Sequence, residues 1–299
     1  MELHTCLWND VQAFHFNDVD FDVLRSAMPG LTVVVHADEA SFLEQAEKIE
    51  AVLTWDFKAA WYEQFKNLKW IMTPAAGKDW VEPDPSGKVK IVHGTFHGKL
   101  LSESLLSALL FMNHRMPQML ENFQQRAWNR DIQSHSRLLS EQTVMMIGFG
   151  NIAQDCAKVL EQMGTRVIGI SRSATPVSFG AEVYGLELLL DHLPEADHVV
   201  LLLPGGKKTD RFMDETRLAR CKRGAFIYNF GRGNALYSSD LVTSWEHLGG
   251  AFLDVTDEEP LPSTSKLWAL ENMMITPHSS CIYQNYKEEF LEEALNYLR

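Results

Sequence analysis

The run TVMMIGFGNIAQ, Thr143–Gln154, changes period in its middle: an apolar strand pattern runs into Gly148, Gly150 and Ala153, and a helical pattern follows. The spacing is GxGxxA. Gly148 permits a tight turn, and Gly150 removes a side chain where a pyrophosphate must approach the backbone. A helix opening near Asn151 points its free N–H groups at those phosphates. Ala153 stands where a third small residue lets helix and strand pack. The glycine spacing alone is a weak signal, and the strand-turn-helix context is what makes it informative.

Working outward, the strand-like runs RVIGIS, HVVLLLP, AFIYNF, GAFLDV and MMITPH follow at crossover spacing, with the stretch after RVIGISRS read as helix or loop. With the first run they make six strands of a doubly wound parallel sheet, assigned to a dinucleotide-binding domain at 99–280. Upstream, LHTCLW, LTVVVHA, AVLTW, LKWIM and KIVHG read as the strands of a second parallel sheet. A single long helix from Leu100 to about Trp128, with Leu101, Leu105, Ala108, Leu109 and Met112 at helical spacing, is expected to connect the two. Tyr286–Leu298 reads as a helix returning to the first domain, which makes 1–98 plus 281–299 the substrate-binding domain. The expected fold class is therefore α/β, with two Rossmann-like parallel-sheet domains, one flavodoxin-like and one dinucleotide-binding, around an interdomain cleft hinged at two chain crossings.

Composition narrows the partners. Across 299 residues, 40 acidic side chains against 27 basic ones give a net charge of −13 without a basic run, which argues against nucleic acid or an anionic membrane. No apolar stretch is long enough to cross a bilayer. Cys6, Cys156, Cys221 and Cys281 are far apart, which suggests neither a disulfide framework nor a metal site. With no leader-like pattern at the N-terminus, the expected location is the cytoplasm.

The end of the strand RVIGIS bears on the cofactor. Where a carboxylate would hold the ribose hydroxyls of NAD, this chain has Ser171, Arg172 and Ser173. A guanidinium flanked by hydroxyls suits a 2′-phosphate, so NADP(H) is expected to be preferred, with NAD(H) possible. Three polar residues then fall just beyond successive strands: Arg232, Glu259 and His278. In an open parallel sheet all three face the crevice at the carboxyl ends of the strands. Reducing a 2-keto acid needs a hydride, a proton for the carbonyl oxygen and positive groups for the carboxylate, and only the first comes from the cofactor. His278 suits proton delivery, Glu259 suits its orientation and charge, and Arg232 offers planar donors to the substrate.

At these residues the sequence resembles the D-isomer-specific 2-hydroxyacid dehydrogenase family, in particular its glyoxylate and hydroxypyruvate reductase branch. The matching pieces are LKWIMTPAAGKDW, TVMMIGFGNIAQ, EADHVVLLLP, FIYNFGRGNALYSSDL, GAFLDVTDEEPLP and MMITPHSS, in family order. The resemblance implies that Glu259, rather than Asp257 or Glu258, pairs with His278, and that Arg232 binds substrate. It implies cofactor contacts from Gly148, Phe149, Gly150, Asn151 and Ile152, from Leu203 and Pro204, and from Phe230, Gly231, Asp254 and Ser280, besides Ser171–Ser173. It places the substrate loop at Ala75–Asp79, where Ala76 and Gly77 offer backbone amides, and gives Trp55 and Tyr283 pocket-lining roles. Family members often carry an apolar residue where this chain has Lys78, so Lys78 is read as an added positive charge, suited to a substrate with a second anionic group. A homodimer formed through the nucleotide domain and the long helix is also implied. Two other readings stay open: a dinucleotide-sensing protein of corepressor type without significant turnover, and a formate dehydrogenase-like relative, against which the Glu259–His278 pairing speaks.

Overall fold

The computed structural model describes residues 1–299, the side chain of His135 apart. The chain divides into two units, Met1–His97 with Cys281–Arg299, and Gly98–Ser280.

The first unit is built on five parallel strands: β1 (Glu2–Cys6), β2 (Thr32–Val35), β3 (Ala51–Thr54), β4 (Trp70–Thr73) and β5 (Lys90–His93), in the order β2-β1-β3-β4-β5. This is the flavodoxin-like order. Short helices α1 (Asp22–Ala27) and α2 (Glu39–Leu43) fill two of the crossovers. The central strand β3 is buried along its whole length, which its Ala-Val-Leu-Thr sequence permits. Phe42, Phe57, Trp61 and Phe65 pack with Val52 and Ile71 in one core.

In the second unit seven parallel strands run β6 (Thr143–Ile147), β7 (Arg166–Ser171), β8 (Glu182–Gly185), β9 (His198–Leu201), β10 (Phe226–Asn229), β11 (Gly250–Leu253) and β12 (Met273–Ile275). Their order is β12-β11-β10-β9-β6-β7-β8, so the direction of winding reverses between β6 and β9. Ligand crevices lie at such reversals, outside the carboxyl ends of the strands. Helix α3 (His97–Asn113) enters this unit and α4 (Met116–Gln125) follows; α5 (Asn151–Gln162), α6 (Leu189–His192), α7 (Glu215–Arg220) and α8 (Ser238–Thr243) lie along the sheet's crossovers. The closing helix α9 (Tyr286–Leu298) belongs to the first unit and buries Tyr286, Phe290, Leu291 and Ala294, one face at helical spacing. Among the described residues no helix is long and apolar enough to cross a membrane.

Two expectations are corrected. The helix from Leu100 to Trp128 is two helices, because the chain turns through Arg115 in the left-handed region (φ 56°) before Pro117 in the first turn of α4. Proline there loses no intrahelical bond, whereas inside a continuous helix it would remove one and clash with the preceding turn. The second sheet has seven strands rather than six, since the stretch read as helix or loop contains β8. That edge strand is short and only half-buried, and Arg166 on β7 ties it down through both oxygens of Glu182. An edge with one polar face leaves little apolar signal in sequence.

Candidate active site

The segment after β10 is shaped by close backbone contacts. Asn229 accepts from the Gly231 N–H at 3.1 Å and donates to the Arg232 carbonyl at 3.1 Å, curling the chain around its own side chain. A Cβ at residue 231 would lie 2.5 Å from the Leu203 carbonyl oxygen, and one at residue 233 would overlap the Thr256 carbonyl oxygen. The glycines flanking Arg232 therefore serve close approach to the segments after β9 and β11. Arg232 itself is extended (φ −136°) and half-buried.

After β11, the Thr256 N–H donates to Glu259 Oε1 at 3.1 Å, and Glu259 Oε2 lies 3.0 Å from His278 Nδ1. Partial burial pushes the Glu259 carboxyl up, but the bond and charge of His278, the Thr256 N–H and the charge of Arg232 outweigh it and hold the group below its ordinary value. Arg232, Glu259 and His278 are thus brought together, as expected from their places after three neighbouring strands. Of the neighbouring acids, Asp257 accepts from the Ser238 hydroxyl, and Glu258 is exposed.

His278 has a left-handed backbone (φ 50°), uncommon for a residue with a side chain and worth about 1–3 kcal/mol of strain. Asp254 holds it there. Its buried carboxylate accepts from Thr276 Oγ1 at 2.6 Å, the Ser279 N–H at 2.9 Å and the Ser280 N–H at 3.1 Å, while its carbonyl accepts from the His278 N–H at 2.8 Å. Asp254 and Ser280, read as cofactor contacts, are engaged in this turn, and the Ser280 carbonyl also accepts from Ser104 Oγ at 2.7 Å.

At the glycine-rich turn Gly148 has φ 96°, and a Cβ there would lie 2.5 Å from the Leu202 carbonyl oxygen. The N–H groups of Gly148 and Phe149 both reach the Ile170 carbonyl, tying the turn to β7. Beyond them Gly150 faces open space, and the N–H groups of Asn151, Ile152 and Ala153 have no acceptor among the described residues. That cradle fits a pyrophosphate. The Phe149 ring covers Gly169, where a Cβ would meet it at 2.5 Å, and Phe230 stacks on Phe252 with ring centres 5.6 Å apart. Both aromatic side chains are therefore committed to packing. Ser171 Oγ accepts from the Ala174 N–H at 3.1 Å and Ser173 Oγ accepts from Thr175 Oγ1 at 3.0 Å, which turns the chain around an exposed Arg172 that forms no ion pair among the described residues. Leu203 lies against Gly231, and the Pro204 carbonyl accepts from Thr209 Oγ1 at 2.6 Å.

In the first unit, the segment after β4 is pinned by the Ala75 N–H on Thr73 Oγ1 at 3.2 Å and by the Gly94 N–H on the Ala75 carbonyl at 3.2 Å. The amides of Ala76, Gly77 and Lys78 have no acceptor among the described residues, the pattern of an anion nest. Lys78 is exposed; burial first and then its charge keep His93 below the ordinary histidine value. Trp55 is 7% exposed, donates from Nε1 to the Phe14 carbonyl at 3.1 Å and stacks on Tyr286, so its one polar group is already used. Tyr283 is half-buried just before α9.

Sequence reasoning missed Asn229, Gly233, Thr256 and Thr276, which shape the turns that carry the three charged side chains. Their only signal was a polar or small residue beside an apolar strand end.

A doubly wound parallel sheet with a glycine turn at its winding reversal defines the class, a dinucleotide-binding α/β protein. The family is narrower. A family model described as D-isomer specific 2-hydroxyacid dehydrogenase, NAD binding domain, matches residues 106–280, and the chain belongs to that family. It is 36% identical over 141 residues to a glyoxylate reductase of Thermococcus kodakarensis, covering 46% of this chain and 41% of that protein. An (S)-sulfolactate dehydrogenase of Chromohalobacter salexigens is 36% identical over 140 residues, covering 46% of this chain and 45% of the relative. The chain thus matches less than half the length of these curated relatives. Over the whole fold it is similar to an NADPH-dependent glyoxylate/hydroxypyruvate reductase from Sinorhizobium meliloti solved with NADP and sulfate, with a TM-score of 0.83, 25% identity, and coverage of 100% of this chain and 94% of that one.

Proposed function

We propose that the chain is an NADPH-preferring reductase of a small 2-keto acid of the glyoxylate or hydroxypyruvate type, giving the D-2-hydroxy acid. The observation that carries the reading is the Glu259–His278 pair at 3.0 Å within the electrostatic reach of Arg232. A nicotinamide dinucleotide held at Gly148–Ile152 and Ser171–Ser173 supplies the hydride. His278 directs Nδ1 to Glu259, which leaves Nε2 to deliver a proton to the carbonyl oxygen. Glu259 stabilises the charged imidazole and fixes its orientation. Arg232 contacts the substrate carboxylate and polarises the carbonyl. The free amides of Ala76, Gly77 and Lys78, with the Lys78 charge, contribute to anion binding, and Trp55 and Tyr283 shape the apolar surroundings.

A cytoplasmic setting belongs to the same proposal. So does a homodimer, which would cover apolar groups left exposed in the second unit, Phe123 at 80% and Trp128 at 88%.

The test is NADPH consumption with a panel of 2-keto acids, glyoxylate and hydroxypyruvate included. His278→Ala is expected to lower kcat by about 100-fold or more while NADPH binding persists. Full activity in that variant would falsify the assignment, and NADPH binding without turnover of any keto acid by the wild-type chain favours the corepressor-type reading. Lys78→Ala in the same panel is expected to raise KM most for substrates with a second anionic group; unchanged values remove Lys78 from the set.

A further inference from the structure

We propose that Thr256 is a positioning residue for the Glu259–His278 pair, a role that rests on the reductase reading above. Two bonds from this one residue close the turn after β11: its N–H to Glu259 Oε1 at 3.1 Å, and its hydroxyl to the Glu258 carbonyl at 2.7 Å. The first uses one carboxylate oxygen and leaves the other for the imidazole. The second holds the turn so that this oxygen stays 3.0 Å from His278 Nδ1.

The pair needs such a hold. Its side chains are 46% and 39% exposed, and ion pairs so open to water are worth only about 0–1 kcal/mol by themselves. A carboxylate released from Thr256 gains rotational freedom and hydration at little cost, and the imidazole then loses the partner that selects its tautomer. Thr256, in contrast, is 9% exposed and wedged in place. Its carbonyl oxygen occupies the space that a side chain at residue 233 would need, and the next residue, Asp257, is bonded to the Ser238 hydroxyl. The turn that orients Glu259 is thereby built against the segment that follows Arg232, and the Arg232 charge acts on Glu259. Three residues far apart in sequence share one rigid frame, and Thr256 is its joint.

The test uses the full-length chain with Thr256→Val, which keeps the shape and the N–H but removes the hydroxyl, and Thr256→Ser, which keeps both donors. Imidazole nitrogen NMR of histidine-labelled protein, with the His278 signals assigned by His278→Gln, reads the tautomer without any turnover. Wild type and Thr256→Ser are expected to hold the proton on Nδ1, and Thr256→Val to show a mixture of tautomers. In keto acid reduction Thr256→Val is expected to lose on the order of tenfold in kcat. Its kcat/KM profile against pH is expected to differ from wild type, because a loosened carboxylate no longer holds the imidazole in one orientation, while KM for NADPH stays within about twofold. Thr256→Ser is expected to restore both. A single Nδ1–H tautomer with an unaltered profile in Thr256→Val overturns the proposal, and so does an activity loss that is uniform in pH and shared by the serine variant. A wild-type chain that reduces no 2-keto acid defeats the reductase reading instead, and the tautomer comparison still decides what Thr256 does.

Discussion

Arg172 tests how far a single residue can be read. Exposed and without an ion pair among the described residues, it is held at the head of a turn by Ser171 and Ser173. One charge-assisted bond to a phosphate is worth about 1.5–3 kcal/mol, so Arg172→Ala is expected to raise KM for NADPH roughly 10- to 100-fold more than KM for NADH. Comparing both cofactors on wild type and variant checks this, and equal use of NADH by the wild type defeats the NADP preference. The residue type was legible because a carboxylate was missing where one is usual. In the run Asp257-Glu258-Glu259 it was the resemblance to the family that singled out Glu259 as the partner of His278. Three acids of similar chemistry stand side by side, and the fold sends Asp257 to Ser238 and Glu259 to His278.

At the scale of elements, strands buried on both sides were easy to find, and β1, β3, β6, β9 and β10 all lie within apolar runs. The break between α3 and α4 is announced in the sequence only by Pro117, whose missing N–H interrupts a helical spacing that otherwise runs on past Met112. The glycines divide by what surrounds them. Gly231→Ala puts a Cβ 2.5 Å from backbone and is expected to cost about 1–3 kcal/mol in urea unfolding, since neither segment can move aside cheaply. Gly150 has open space and a φ of −87°, so Gly150→Ala is expected to unfold within about 0.5 kcal/mol of wild type yet to bind NADPH more weakly. Calorimetric NADPH titration beside the urea curves separates the two. Wild-type NADPH affinity in Gly150→Ala would end the reading of that turn as a phosphate cradle.

The whole molecule carries an acid sensitivity of its own. His198 on β9 is fully buried, bonded to the Tyr228 hydroxyl at 2.9 Å and Gln142 Oε1 at 3.2 Å, and burial pushes its pKa down from 6.5 to about 4. The unfolded chain binds this proton more readily, so the stabilisation is complete above pH 6.5 and is lost as pH falls towards 4, about 3 kcal/mol in all. In His198→Gln the slope of unfolding free energy against pH in that window should fall by about 1.4 kcal/mol per pH unit, measured by urea denaturation of the second unit; an unchanged slope would show that other groups carry the effect. Burial of this kind is invisible in a single sequence, where His198 and His278 are alike. The sequence by itself determined two parallel-sheet units, the glycine turn and the order of Arg232, Glu259 and His278, because strand periodicity and glycine spacing are local properties of the chain. Only the tertiary structure decided why Gly233 must lack a side chain and which histidine is sealed in the sheet, because each depends on segments more than 20 residues apart meeting at van der Waals distance.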